Sequence, residues 1–137
     1  MPCGIYNDQL RVQLIKEHIT TVEKSMNKIK ELSAAETINY NQLVRWVDNK
    51  ESHANEIQHI VSQYFMTQRI KVVDGSDAAA VQANNAKLDQ LHKLLVYAMK
   101  SKQTTEQQNI DNMRTAIDAF SNAYFSKEDL EHTKGHH

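Results

Sequence analysis

Apolar residues recur at alternating steps of three and four in four separate segments of this chain. In the first segment these positions are Ile15, Ile19, Val22, Met26 and Ile29. In the second, which runs from about Thr37 or Asn39 to Ile70, the corresponding positions are Trp46, Lys50, His53, Ile57, Ile60 and Tyr64. In the third they are Val81, Leu88, Leu91, Leu95 and Ala98, and in the fourth Ile110, Met113, Ile117, Phe120 and Tyr124. Because this spacing gathers apolar side chains on one face of an α-helix, the pattern predicts four amphipathic helices.

The breaks between the four segments are short. Turn-forming sequences fall near residues 33–37, 71–77 and 101–105. Asp77 is placed to cap the third helix, and Thr105 to cap the fourth. Four helices with short connections are typical of an all-α, up-down antiparallel four-helix bundle. We assign this bundle to residues 8–126, a short non-helical N-terminal hook to residues 1–7, and a polar C-terminal tail to residues 127–137.

Composition and charge narrow the range of partners. The chain has 137 residues, with 16 Lys and Arg against 17 Asp and Glu, and a formal net charge of -1. This balance argues against nucleic acid, which attracts basic surfaces, and against a polybasic membrane anchor. The apolar runs are too short to span a bilayer, and no apolar signal segment follows the start. We therefore expect a cytoplasmic protein with no nucleic-acid or membrane partner.

Two polar residues occupy seam positions of the second helix, where apolar residues are expected. They are Lys50 and His53. Buried polar groups require hydrogen-bond partners. One interpretation is a hydrogen-bonded core histidine beside a lysine that extends to the edge of the core. The other is a polar zone that receives a chain terminus or a neighbouring subunit.

The seven histidines suggest a metal site, and a di-iron centre is one candidate. Glu56 and His59 match the Glu-x-x-His spacing of di-iron bundles, and Asp89 and His92 form a looser copy. At about 100° per residue, however, Glu56 and His59 do not both point inward with the seam. The histidines of the C-terminal tail are expected to belong to a solvated end. The pattern therefore gives little support to a di-iron centre.

The N-terminal residues stand apart from the helical pattern. Pro2 is the only proline and Cys3 the only cysteine, and Gly4 is one of three glycines. Pro2 fixes its own φ angle, and Gly4 allows backbone conformations that other residues avoid. Cys3 therefore lies on a shaped segment where a thiolate could bind a metal, or it is an incidental thiol on a frayed end.

Two stretches of the chain resemble nickel-containing superoxide dismutases. The hook of that family has the pattern His-Cys-x-x-Pro-Cys-Gly-x-Tyr and precedes a four-helix bundle, and "PCGIY" at residues 2–6 is similar to its second half. "SQYF" at residues 62–65 resembles the family's Ser-x-Tyr-Phe. The resemblance implies a homohexamer that disproportionates superoxide to oxygen and hydrogen peroxide, with a nickel ion cycling between Ni(II) and Ni(III).

The resemblance also implies roles for individual residues. Cys3 matches the thiolate of the second hook cysteine, a nickel ligand, while Pro2 and Gly4 would shape the hook. Tyr6 matches the tyrosine that guards the approach to nickel, and Tyr64 resembles a second aromatic residue near it. Lys50 and His53 fall roughly where the family anchors the first residues of its hook.

The family's initial histidine and first cysteine have no counterpart in residues 1–137. Either they precede Met1 in the natural protein, which we favour, or this relative has lost the site. Because a single thiolate cannot form a square-planar nickel site, we expect these 137 residues alone to be inactive. The alternative function is that of a non-catalytic helical-bundle protein that serves interaction or assembly.

Overall fold

The computed structural model describes residues 2–125, with side chains from Gly4 onward, and this part of the chain is helical with no strand. Its helices are α1 (Pro2–Ser33), α2 (Tyr40–His59), a π-helical continuation of α2 that we call the π segment (Ile60–Arg69), α3 (Ala78–Gln103) and α4 (Gln107–Tyr124). The predicted all-α four-helix bundle is therefore confirmed. Within residues 2–125, none of these helices combines the length and the apolar character that a membrane crossing requires. The predicted tail, residues 127–137, lies outside the described residues.

Side chains cap the starts of α2 and α3, and the predicted cap at Asp77 is confirmed. The Asn39 side chain accepts a hydrogen bond from the backbone N–H of Gln42, and the Asp77 side chain accepts one from the N–H of Ala80 at 3.1 Å. The prediction that Thr105 caps α4 is wrong. Glu106 occupies the cap position without a side-chain bond, and its backbone N–H donates to the hydroxyl of Thr104.

The helices pack in a closed ring of antiparallel neighbours. α1 packs most extensively against α2 and α3 against α4, and the ring is completed by α2 with α3 and α1 with α4. The predicted seam of α1 is fully buried at Ile15, Ile19, Val22 and Met26. On the α1–α4 side, Arg114 donates two hydrogen bonds of 2.9 Å to the Glu23 carboxylate. The seams thus meet in one core along the axis of the bundle.

Residues 60–69 continue α2 with a wider winding. The backbone N–H of Ile70 donates to the carbonyl of Phe65, and the Thr67 hydroxyl donates to the carbonyl of Ser62, both five residues back. Backbone bonds between residues five apart, such as the one from Ile70 to Phe65, define a π-helix, a rare conformation that is frequent at functional sites. The apolar pattern predicts the extent of this helix but not its winding.

The non-helical conformation expected for residues 1–7 is not found in residues 2–7, which form the first turns of α1. Pro2 begins the helix at the one place where a proline costs no hydrogen bond and its fixed φ suits the helix. The sequence signal that we took for a break is therefore compatible with a helix start. The side chains of Pro2 and Cys3 lie outside the described residues.

Candidate functional site

A buried carboxylate lies one helical turn after Gly4. The Asp8 side chain is fully buried and accepts hydrogen bonds from the Tyr64 hydroxyl at 2.5 Å and the Tyr124 hydroxyl at 2.7 Å. Arg69 Nη2 donates to Oδ2 at 3.0 Å, and its Nε lies 2.9 Å from Oδ1 as an ion-pair contact without hydrogen-bond alignment. We refer to Asp8, Tyr64, Arg69 and Tyr124 as the Asp8 cluster. It joins the first turns of α1 to the end of the π segment and to the last residue of α4.

The winding of the π segment brings two members of the cluster together. Tyr64 and Arg69 are five residues apart, and on an α-helix their side chains would diverge by about 140°. A helix with bonds between residues five apart turns less per residue, so the two side chains share one face. Both reach the same carboxylate. The π winding thus allows Tyr64 and Arg69 to bind the same carboxylate, that of Asp8.

The donors of the Asp8 cluster keep their protons at neutral pH. Burial and the hydrogen bond to Asp8 raise the pKa of Tyr64 to about 12, and the same causes raise the pKa of Tyr124 to about 12. Hydrogen bonding to the carboxylate raises the pKa of Arg69 above its usual range. The cluster is therefore a fixed set of donors around one carboxylate. The cluster is therefore suited to holding α1, the π segment and α4 together rather than to exchanging protons.

Aromatic rings surround the cluster. The ring of Phe65 makes edge contacts with those of Tyr64 and Phe120, each with centroids 4.9 Å apart, and the ring of Tyr124 stacks on Phe120 at 5.2 Å. The guanidinium of Arg11 lies 4.8 Å from the centre of the Tyr64 ring. Because these rings limit water access, the hydrogen bonds to Asp8 are made in a poorly solvated environment, where they are stronger.

The structure separates two residues that the sequence predicted to act together. Tyr6 is 61% exposed, whereas the Tyr64 hydroxyl is bonded to Asp8. Tyr6 and Asp8 are two residues apart on α1, so they point about 200° apart around the helix. The rings of Tyr6 and Tyr64 therefore face different sides of α1 in this conformation. Gly4 lies in the first turns of α1, and Cys3 does so by its backbone only.

Lys50 is bound to the C-terminal end of α3. Its side chain is buried, and Nζ donates to the carbonyl oxygens of Lys102 at 3.0 Å and Thr104 at 2.8 Å. Burial lowers the pKa of the Lys50 ammonium. A cation at this position satisfies orphan carbonyls and interacts favourably with the negative end of the helix dipole. The interpretation of Lys50 as a hydrogen-bonded residue at the edge of the core accounts for these contacts.

His53 is paired with a histidine of α1. The Nδ1 atoms of His18 and His53 are 2.8 Å apart, and both rings are half-buried. His18 lies fifteen residues beyond Cys3 on α1, which is about 22 Å along the helix axis. Within one subunit, a distance of this order separates Lys50 and His53 from residues 2–7. The anchoring of the hook by these two residues therefore stays a prediction.

Comparison with known protein families gives a match over nearly the whole chain. A sequence model of the family described as nickel-containing superoxide dismutase matches residues 1–128. The chain belongs to this family. Comparisons with curated proteins and with solved structures gave no match. Membership of the nickel superoxide dismutases confirms the resemblance to this family and indicates nickel as the cofactor and superoxide as the substrate.

The side chains that the structure describes, from Gly4 to Phe125, do not form a nickel site. The chain has one cysteine, and among the residues that the structure describes no three His, Cys, Asp or Glu side chains form a group that could hold a metal ion. Nickel that cycles between two oxidation states needs several strong donors, and one thiolate does not supply them. The described side chains therefore do not fit the family's metal on their own.

Sequence reasoning missed the Asp8 cluster, although a signal for it was present. Asp8 stands four residues before Val12 and seven before Ile15, so it continues the buried seam of α1 toward the N-terminus. A carboxylate at a seam position predicts a buried cationic partner. Tyr124 was placed in the seam of α4 but without a polar role. Arg69 lies in a segment whose winding the sequence does not reveal.

Proposed function

We propose that this protein is a subunit of an enzyme that disproportionates superoxide to oxygen and hydrogen peroxide, using nickel that cycles between Ni(II) and Ni(III). The observation that carries the proposal is the family match over residues 1–128, which includes the Pro-Cys-Gly-Ile-Tyr stretch. Thiolate ligands suit this chemistry, because soft anionic donors bring the higher oxidation state of nickel within reach. Further donors would come from a His-Cys-x tripeptide ahead of Met1.

Within the described chain, we assign the residues near the N-terminus to the metal site and its approach. Cys3 supplies a thiolate, while Pro2 and Gly4 shape the backbone around it. Tyr6, three residues from Cys3 and largely exposed, is available to cover the approach of a small anion. Tyr64 acts from the bundle side, where its hydroxyl is held by Asp8.

Metal binding and activity in matched polypeptides test this proposal. One is residues 1–137, and the other carries His-Cys-x before Met1 with a free amino terminus. We expect the extended chain to bind nickel and consume superoxide, and residues 1–137 to do neither. Cys3→Ser in the extended chain is expected to abolish both properties. Activity that persists in this variant contradicts the assignment of Cys3. If the extended chain does not bind nickel, the non-catalytic helical module is the better interpretation.

We also propose self-association into a homohexamer. Two stripes of exposed apolar side chains support it. They comprise Tyr6, Leu10 and Leu14 on α1, and Tyr40, Val44 and Val47 on α2. Each stripe follows helical spacing, so it presents a continuous apolar face to solvent, and such faces mark interaction sites. Sedimentation of the wild-type chain and of Leu10→Glu tests this, because a charge in the stripe is expected to lower the assembly state.

A further inference from the structure

The histidine pair between α1 and α2 has donor atoms that the proposed function does not use. Two neutral imidazoles with facing Nδ1 atoms share one hydrogen, so one ring donates and the other accepts. His18 and His53 have this arrangement at 2.8 Å, with ring centroids 5.0 Å apart. His18 lies on α1 and His53 on α2, and these two helices pack against each other along their length. The fold therefore holds the two nitrogens close together.

The spacing of the two nitrogens is close to that of two ligands on one metal ion. A tetrahedral ion with two nitrogens at about 2.0–2.1 Å holds them about 3.3 Å apart. The pair therefore has to open by about half an ångström, which small rotations of the half-buried rings provide. The hydrogen between the rings moves to the Nε2 atom of its own imidazole, so both ligands remain neutral.

The surroundings of the pair favour a cation. Glu56 lies one turn beyond His53 on α2, and Glu17 precedes His18 on α1. Both carboxylates are exposed and attract positive charge at His18, which partly opposes the lowering of its pKa by burial and by His53. These carboxylates contribute only through their charge, because no three His, Cys, Asp or Glu side chains among the described residues form a group that could hold a metal ion.

From this geometry we propose that His18 and His53 form an accessory two-ligand site for a divalent transition metal of the zinc class, with water completing the coordination. Imidazole nitrogens are ligands that such ions prefer. The site is separate from the N-terminal residues, and it does not depend on the proposed dismutase activity. Bound metal would link α1 to α2.

Zinc titration of the full 137-residue chain tests the site. The background carries Cys3→Ser and replaces His132, His136 and His137 by alanine, so that these other donors do not contribute. We expect one zinc ion per chain, and loss of this binding in either His18→Ala or His53→Ala, because each removes one of the two protein ligands. His92→Ala, which removes an exposed histidine of α3, is expected to leave the affinity unchanged.

A second measurement keeps the test valid if one alanine variant unfolds. Zinc is expected to raise the thermal midpoint of the parent and of His92→Ala, because a ligand that binds only the folded state stabilises it. In His18→Asn and His53→Asn, which retain polar side chains, this zinc-dependent rise should disappear. The proposal is overturned if either histidine variant binds zinc as tightly as the parent, or if the parent binds none.

Discussion

Replacement of Asp8 by asparagine tests the Asp8 cluster with the smallest change in shape. The carboxylate accepts hydrogen bonds from Tyr64, Arg69 and Tyr124 and is fully buried. Asparagine keeps one acceptor oxygen but replaces the other with an NH₂ group, which faces donors. The substitution therefore removes the negative charge opposite Arg69 and leaves at least one hydroxyl without an acceptor.

The magnitude follows from the burial of the two charged partners. Removing one partner of a buried ion pair costs about 3–5 kcal/mol. The Arg69 side chain is 31% exposed, so water recovers part of the hydration of its charge, and we take the lower end of that range. A phenol left without an acceptor adds to this loss, but the contributions within one network are not additive. We expect Asp8→Asn to lower the free energy of unfolding by about 3–4 kcal/mol.

Urea and thermal unfolding at fixed protein concentration measure this loss. For a chain of this size, a change of about 3 kcal/mol lowers the thermal midpoint by roughly 10 °C. Asp118→Asn is the matched control, because Asp118 is 67% exposed and lies 3.6 Å from Lys16 in a surface ion pair. We expect this control to change stability by less than about 0.5 kcal/mol.

A double-mutant cycle separates the charge from the packing. Arg69→Gln removes the cation, so the combination with Asp8→Asn should cost less than the sum of the two single changes. Two results would contradict the role of the cluster in holding α1 against the other helices. One is a loss of stability below about 1 kcal/mol in Asp8→Asn. The other is simple addition of the losses caused by Asp8→Asn and Arg69→Gln.

Three further predictions concern other polar groups. Lys50→Met should cost about 1–3 kcal/mol, because two carbonyls at the end of α3 lose their donor, and hydrogen exchange should increase at that end of the helix. Tyr64 and Tyr124 have pKa values raised to about 12. Their contribution to stability is therefore complete below pH ~10 and is lost as pH rises toward 12. An alkaline titration followed by tyrosinate absorbance should show a late step that Tyr64→Phe reduces. The pKa of His18 is lowered in the folded chain, so just below pH ~6.5 the unfolded chain binds more protons than the folded chain does. Stability should therefore fall there as pH falls. Urea midpoints across that range should depend less on pH in His18→Gln.

The helices of this protein follow from the sequence because apolar spacing and capping residues act locally. Asp77 and Asn39 begin helices where their side chains accept backbone N–H groups, and the α1 seam is buried as the spacing predicts. These features depend on residues three or four positions apart. They are therefore visible in the sequence alone.

The candidate site was harder to predict because its contacts join distant parts of the chain. Lys50 was recognised as a polar residue in a seam, but its partners are backbone carbonyls on another helix, which no side-chain pattern reveals. The pairing of Tyr64 with Arg69 depends on the π winding. Pro2 suggested a break, although the same residue is equally suited to the first position of a helix.

The hydrogen bond between Tyr124 and Asp8 has a consequence for the order of events during protein synthesis. It joins residues 116 positions apart, at the two ends of the described chain. A domain generally folds as a unit, and translation delivers its N-terminal residues first. Asp8 therefore leaves the ribosome long before its last donor is made, and the first turns of α1 are not fully fastened until the final helix emerges.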